Sequence, residues 1–157
     1  MKKFWTFIFA VVVSFIPGII GVFFTPHGNS HIWYESLAKS TLTPAGWVFG
    51  VAWTILYLLL GIALFLVINN KTSRLSKAKA YWLFVGQMVL NALWSIIFFG
   101  LHMPALALLA LIFLIVVSIF MARSFKVFSS AASYLVWPYI IWMCFATYLN
   151  ATIMFLN

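Results

Sequence analysis

A chain of 157 residues in which 66% are hydrophobic and 6% are charged cannot cover the surface of a soluble domain with polar groups. The formal net charge of +8 does not indicate a nucleic-acid partner, because the basic residues stand in short segments between apolar runs, as membrane topology signals do. The apolar runs are continuous and do not alternate, which argues against a β-barrel.

We therefore predict an all-α polytopic membrane protein, with residues 1–157 forming one domain. Each apolar run supplies the ~20 residues that a helix needs to cross a bilayer at ~1.5 Å per residue. Membrane lipid is thus an expected partner. The predicted bundle has five transmembrane helices, at approximately 4–24, 45–68, 80–100, 104–123 and 131–156, with a loop at 25–44.

The first apolar run follows two lysines and has a signal peptide as its alternative interpretation. The run continues for about 21 residues and shows no small-x-small cleavage site, which favours a membrane helix. Pro17 removes one backbone hydrogen bond and predicts a kink. Three small residues at four-residue spacing predict close contact with another helix: Ala10, Ser14 and Gly18.

The loop at 25–44 contains the only acidic residue of the chain, Glu35. His27, His31 and Glu35 would align on one face if the loop were helical, which would suit a metal ion. The segment Gly28-Asn29-Ser30 argues against a regular helix, and two histidines with one carboxylate are a weak ligand set. We therefore predict a solvated loop at the membrane surface and no metal site.

Aromatic and amide residues form stripes on three of the predicted helices. The second helix carries Gly50, Trp53, Tyr57 and Gly61 at helical spacing, with Trp47 at the edge. A buried amide in lipid needs a partner, so the polar face of the third helix points into the bundle, either as interhelical contact or as ligand contact. That face carries Gln87, Asn91, Ser95 and Phe98, with Trp94 beside it; the fifth helix carries Tyr139, Trp142, Ala146 and Asn150.

The basic residues predict the orientation of the bundle. Eight of the nine Lys and Arg residues fall on the side of the N-terminus, and only Lys39 falls on the other. The positive-inside rule then places the N-terminus in the cytoplasm and the first loop and C-terminus outside. Trp53 would lie ~10 Å below the outer surface, level with the amide and aromatic groups of the third and fifth helices.

Three blocks of sequence carry a resemblance to a known family. They are Trp33-Tyr34 through Trp47-Val48-Phe49-Gly50 with Trp53 and Tyr57; Asn91-x-x-Trp94-Ser95-x-x-Phe98-Phe99-Gly100; and Pro138-Tyr139-x-x-Trp142-x-x-Phe145-Ala146-x-x-Leu149-Asn150. With the five-helix plan, these blocks resemble the TspO/MBR family of tryptophan-rich sensory proteins, related to the mitochondrial translocator protein or peripheral benzodiazepine receptor.

The resemblance implies a membrane receptor or regulator, often a homodimer, that binds porphyrins and isoquinoline or benzodiazepine-type ligands and acts in tetrapyrrole metabolism or stress response. A porphyrin such as protoporphyrin IX is thus the expected ligand, and no obligatory cofactor is expected. By motif position, the family's pocket residues fall on Trp33, Tyr34, Trp53, Asn91, Trp94, Trp142 and Ala146. The helical stripes add six further predicted ligand-binding residues: Trp47, Gly50, Tyr57, Phe98, Tyr139 and Asn150. The chain departs from the family at Ser40 and Ala45, where prolines are usual, and no basic residue follows Tyr148, which argues against the family's sterol motif.

Other interpretations stay open beside porphyrin binding. The aromatic residues can simply pack the core. No paired carboxylates or activated nucleophile are visible, so an enzyme would work by light- and oxygen-dependent porphyrin degradation, with Trp53 and Trp142 as photochemical candidates. A transporter of porphyrin or another amphipathic ligand is a third alternative. His102 and Cys144 are weaker candidates as haem ligands.

Overall fold

The computed structural model describes residues 1–25, 29–71 and 74–157. A π-helical turn at Ile96–Gly100 directly follows the fifth helix. The described residues form seven α-helices: α1 (Lys2–Ser14), α2 (Ile16–Phe24), α3 (Asn29–Ser36), α4 (Gly46–Asn69), α5 (Arg74–Ser95), α6 (Pro104–Lys126) and α7 (Ser130–Leu156).

Within the described ranges of the chain, five spans are long and apolar enough to cross a membrane, as predicted. The first span is α1 with α2, the third is α5 from Lys77 with the π-helical turn, and α4, α6 and α7 are single helices. We call the end where α1 begins the basic end of the bundle, and the opposite end, which carries α3, the loop end. The prediction of an all-α membrane protein with five spans is confirmed.

The first span breaks at Phe15, which lies just before Pro17. Pro17 has no backbone N–H to donate to the preceding turn. The Phe15 N–H instead donates to the Val12 carbonyl oxygen at 3.2 Å, and helical bonding resumes with the Ile19 N–H donating to Phe15 O at 3.0 Å. The break lets α1 pack on α4 while α2 packs mainly on α5. The predicted kink therefore directs the two halves of one span to different neighbours.

Small residues hold α1 close to α4. Ala10 and Ser14 are fully buried, and the Ser14 hydroxyl lies 2.7 Å from the carbonyl oxygens of both Val11 and Tyr57. A methyl group at Gly61 would stand 2.8 Å from the Val11 Cα, closer than real Cβ atoms approach. The contact face predicted from the spacing of Ala10 and Ser14 is present, and it is made against the second span.

Two predicted boundaries differ from the structure. The loop at 25–44 contains the helix α3 from Asn29, so the argument from Gly28-Asn29-Ser30 against a helix was wrong beyond Gly28. Packing of its aromatic residues on the π-helical turn outweighs the weak local propensity. The helix of the third span begins at Arg74 rather than near residue 80, because its basic residues are good helix formers and extend the helix beyond the apolar run.

Lys77 links the start of α5 to the end of α4. Its side chain is buried, and its ammonium group donates to the carbonyl oxygens of Ile68, at 2.9 Å, and of Asn70. These carbonyls belong to the C-terminal turn of α4, where helical partners run out and the helix dipole favours a cation. Lys77, one of the basic residues between the second and third apolar runs, thus caps the C-terminal end of α4.

Candidate ligand-binding cavity

A cavity of ≈ 820 Å³ lies in the loop-end half of the bundle. Its walls come from α2, α4, the end of the third span and α7, and the segment around α3 closes its mouth. Among the described residues, most of its lining is apolar, with few polar groups. Eight of the predicted site residues line it: Tyr34, Gly50, Trp53, Tyr57, Trp94, Phe98, Ala146 and Asn150.

Flat aromatic side chains form one continuous wall of this cavity. The Trp53 ring stacks on Tyr57 with centroids 5.3 Å apart and planes at 26°. Trp94 stacks on Phe98 at 5.5 Å and 24°, and the Trp53 and Trp94 rings are 6.5 Å apart and tilted by 31°. Four rings from two spans therefore present similar orientations, which suits the face of a planar ligand.

The π-helical turn brings two adjacent phenylalanines to the cavity. The Leu101 N–H donates to Ile96 O at 2.9 Å, five residues back, so the helix is wider here than an α-helix. Phe98 and Phe99 both line the cavity, and their rings contact each other edge to face at 4.8 Å. Single π-helical turns of this kind are frequent at functional sites.

A buried polar chain lies behind the aromatic wall. The Tyr57 hydroxyl donates to Asn91 Oδ1 at 2.9 Å, and Asn91 Nδ2 donates to the Tyr139 hydroxyl at 2.7 Å. All three residues are buried, and neither Asn91 nor Tyr139 lines the cavity. The chain joins α4, α5 and α7 and fixes the ring of Tyr57 against Trp53.

Asn150 makes a second link between spans, and it does line the cavity. Its Oδ1 accepts the Trp94 Nε1–H at 3.1 Å, and its Nδ2 donates to Pro104 O at 2.8 Å. One amide therefore holds the indole of Trp94, the start of α6 and the end of α7 together. The orientation of Trp94 is set before any ligand arrives.

The mouth of the cavity carries its charged groups. Lys39 Nζ lies 3.6 Å from Glu35 Oε2 and 4.4 Å from the centre of the Tyr34 ring. Burial, with a smaller contribution from the charge of Glu35, raises the pKa of the Tyr34 hydroxyl above its usual value. Tyr34 is therefore a neutral hydrogen-bonding group at physiological pH.

The segment after α3 is tied to α7. Asn157 Oδ1 accepts the Ala38 N–H at 2.9 Å, and Asn157 Nδ2 donates to Ala38 O at 3.1 Å. The hydroxyls of Ser40 and Tyr148 share a further hydrogen bond of 2.9 Å. These contacts hold the segment after α3 at the mouth of the cavity.

The side of the cavity between α2 and α4 is open. A methyl group at Gly46 or Gly50 would meet no atom within 4 Å. Ile19 and Val22, on the α2 side, are 57% and 62% exposed. The aromatic wall is therefore not covered by other residues of the described chain on this side.

Five predicted site residues do not line the cavity. Asn91 and Tyr139 lie in the polar chain behind it, and Trp47 is 73% exposed at the start of α4. Trp33 stacks on His102 at 4.1 Å and contacts Phe98 edge to face. Trp142 contacts Phe49, itself a lining residue, at 5.9 Å. Their roles in binding stay predictions.

The contribution of the first span was missed by sequence reasoning. The predicted site was based on helix faces that carry aromatic and amide residues. The helix α2 instead contributes small and aliphatic residues. The spacing of Gly18 was noted only as a helix contact, and a methyl group there would stand 2.6 Å from Tyr57 Cε2. The lining residues of the first span are Phe15, Pro17, Gly18, Ile19, Gly21 and Val22.

The weaker candidates for metal or haem binding are placed as follows. His102 has a backbone φ of 55° and lies flat against Trp33. Cys144 is exposed on α7. His27 and the side chain of His31 lie outside the described residues; within these, no group of three His, Cys, Asp or Glu side chains could hold a metal ion.

Comparison with known proteins gives consistent matches over most of the chain. The model of the TspO/MBR family matches residues 8–156. The tryptophan-rich protein TspO of Archaeoglobus fulgidus is 40% identical over 140 residues, which is 89% of each chain. That of Chlorobaculum tepidum is 33% identical over 156 residues, or 99% of this chain and 98% of its own. The Homo sapiens translocator protein is 33% identical over 125 residues, or 79% of this chain and 74% of its own.

Proposed function

Since the chain belongs to the TspO/MBR family, we propose that it is a membrane receptor or regulator that binds porphyrins and isoquinoline or benzodiazepine-type ligands in the aromatic cavity. The observation that carries this proposal is the cavity itself, with its wall of four rings in similar orientation. Its volume of ≈ 820 Å³ falls within the ~300–1,000 Å³ of small-molecule sites.

The chemistry of the cavity suits a broad aromatic plate with acidic groups at one edge. Offset stacking on indole and phenol rings adds ~0.5–1.5 kcal/mol per pair beyond burial. Gly46 and Gly50 leave space along α4 for the edge of the plate. Lys39 lies at the mouth, where its ammonium group can exchange Glu35 for a propionate. The plate would thus lie against Trp53 with its carboxylates toward the loop end.

The test is a fluorescence-quenching titration of the purified protein with protoporphyrin IX. We expect Trp53→Ala to raise the Kd about tenfold, because stacking and burial are lost together. Trp137→Ala is the matched control, since it removes an indole from α7 near the basic end that does not line the cavity. Binding by the Trp53→Ala, Trp142→Ala double variant that equals wild type would refute the proposed site.

Light- and oxygen-dependent porphyrin degradation is the second candidate function. It is favoured by the chain of oxidisable rings, in which Trp53 lies 5.3 Å from Tyr57 and 6.5 Å from Trp94. Bound protoporphyrin illuminated in air would then lose absorbance faster with wild type than with Trp53→Phe at equal occupancy. Equal rates for the two proteins would assign the photochemistry to the ligand alone.

A further inference from the structure

A second cavity, of ≈ 320 Å³, lies at the basic end of the bundle and shares no lining residue with the aromatic cavity. It is formed where the first turns of α5 meet the last turn of α6 and the connection to α7. Two cationic side chains, one hydroxyl and three apolar side chains line it: Lys79, Arg123, Ser124, Phe120, Val127 and Phe128.

The two cations of this cavity lack a carboxylate partner on the chain. The sequence holds one acidic residue, Glu35, which lies at the loop end and is paired with Lys39. Lys79 and Arg123 make no hydrogen bond or ion pair with any residue that the structure describes. Lys77, two residues before Lys79, is by contrast occupied as the cap of α4. The charge of the cavity is therefore available to an anion from outside the protein.

The apolar part of the cavity indicates what kind of anion fits. Phe120 precedes Arg123 by one helical turn on α6, which places it ~4.5 Å deeper toward the bilayer centre. Its side chain is 49% exposed, on a helix that is long and apolar enough to cross a membrane. Phe128 closes the other side and is buried. An anion that continues into a hydrocarbon chain would satisfy both parts of this surface.

We propose that this cavity is a binding site for an anionic phospholipid of the leaflet at the basic end. The lipid phosphate lies between the Arg123 guanidinium and the Lys79 ammonium, with the Ser124 hydroxyl as a further donor. A guanidinium presents paired donors to phosphate oxygens, and an ammonium adds a point charge. An acyl chain runs along Phe120. Basic pockets between transmembrane helices are suited to such head groups.

The basic residues at this end also serve as topology signals, but that role does not require a cavity. Lys71 and Lys126 lie at the same end, are exposed, and do not line it. Lys126 ends the same helix turn that carries Arg123. It is therefore a matched control, because its removal lowers the surface charge equally and leaves the proposed site intact.

The experiment is native mass spectrometry of the whole protein titrated with phosphatidylglycerol, with phosphatidylcholine of the same acyl chains as the neutral comparison. We expect Lys79→Gln and Arg123→Gln each to weaken the first bound phosphatidylglycerol about fivefold, as expected for one charge near a lipid head group. Lys126→Gln should leave that affinity unchanged. Ser124→Leu, which keeps both charges and fills the cavity, should weaken binding as much as either charge variant.

Three outcomes would overturn the proposal. If Lys126→Gln lowered the affinity for phosphatidylglycerol as much as Lys79→Gln or Arg123→Gln, surface potential alone would attract the lipid. Unchanged affinity in Ser124→Leu would mean that the cavity is not the site. Displacement of phosphatidylglycerol by inorganic phosphate would assign the site to a soluble anion. Unchanged phosphatidylcholine binding and an unchanged unfolding midpoint in each variant show that a loss of phosphatidylglycerol is local.

Discussion

Asn91 and Gln87 are fully buried amides on α5, one helical turn apart, and their surroundings differ. Asn91 accepts from Tyr57 and donates to Tyr139, whereas both polar atoms of Gln87 lack a hydrogen-bond partner among the described residues. A buried amide stabilises a membrane bundle only when it is paired, since an unpaired one carries its desolvation cost alone. The two residues should therefore respond oppositely to the same substitution.

We expect Asn91→Leu to lower the free energy of unfolding by about 1–2 kcal/mol, because interhelical hydrogen bonds in membranes contribute ~0.6–1.7 kcal/mol and two hydroxyls lose their partner. Gln87→Leu should be neutral or stabilising. The measurement is unfolding of the detergent-solubilised protein by sodium dodecyl sulfate, followed by circular dichroism. Comparable destabilisation by both substitutions would show that Gln87 has a partner, such as a buried water.

At the scale of one helix, α4 changes its role along its length. Near the basic end its glycine face packs on α1, and near the loop end the same face borders the cavity. A methyl group at Gly61 would stand 2.8 Å from Val11 Cα and 2.9 Å from Ser14 Oγ, whereas one at Gly50 would meet nothing within 4 Å. A stripe that is continuous in sequence thus packs against a helix in one half and borders the cavity in the other.

This division predicts opposite effects of alanine at the two glycines. Gly61→Ala should destabilise the protein by about 1–3 kcal/mol, because the clash is with backbone and requires α1 to move away. Gly50→Ala should stabilise it by about 0.5–1 kcal/mol, since alanine is the better helix former and has room. The measurement is the midpoint of thermal unfolding of the Gly61→Ala and Gly50→Ala variants and of wild type in the same detergent. If Gly61→Ala were as stable as wild type, the close contact of α1 and α4 would be disproved.

Two hydrogen bonds between the Asn157 side chain and the Ala38 backbone, called here the clasp, hold the segment after α3 at the cavity mouth. Asn157→Ala removes both hydrogen bonds and should speed hydrogen exchange around Ala38 while α4 and α7 stay protected. Tyr148→Phe, which loses one exposed bond to Ser40, should have a smaller effect. Equal exchange in wild type and Asn157→Ala would show that packing of α3, and not the clasp, fixes the segment.

Sequence patterns predicted some elements better than others, for reasons that particular residues show. The five spans follow from uninterrupted apolar runs, which few alternatives can accommodate in a membrane. The helix α3 and the π-helical turn were not foreseen. The two elements pack on each other through Trp33 and Tyr34 on one side and Phe98 and Phe99 on the other, more than sixty residues apart in the sequence. Phe99 lines the cavity from within the wider π-helical turn, whose geometry a regular period of 3.6 residues does not describe.

Across the whole molecule, the cavity is formed by several spans, and only some of them could be assigned to it from their sequence. The aromatic residues of α4, the third span and α7 could be placed at one depth from composition and orientation. The share of α2 could not, because a wall of glycine and aliphatic side chains has the same sequence signature as any lipid-facing helix. Asn91 was assigned to the pocket, whereas the structure places it behind Tyr57. Whether a side chain lines the cavity or lies behind a lining residue depends on its direction, which the periodicity of the sequence does not specify.

The distribution of charge over the molecule makes orientation the last testable property. An odd number of spans puts residue 157 on the opposite side from Met1, and eight of the nine Lys and Arg residues are at the basic end. We expect the basic end in the cytoplasm, because positive charges in short loops are retained there. In a bacterial host, alkaline phosphatase fused after Asn157 should be active and the same enzyme fused after Lys126 inactive, with a green fluorescent protein fusion giving the reverse pattern. Alkaline phosphatase activity after Lys126 and none after Asn157 would show that the bundle has the opposite orientation. The mouth of the aromatic cavity would then face the cytoplasm, and a porphyrin made there would meet Lys39 before it met the membrane.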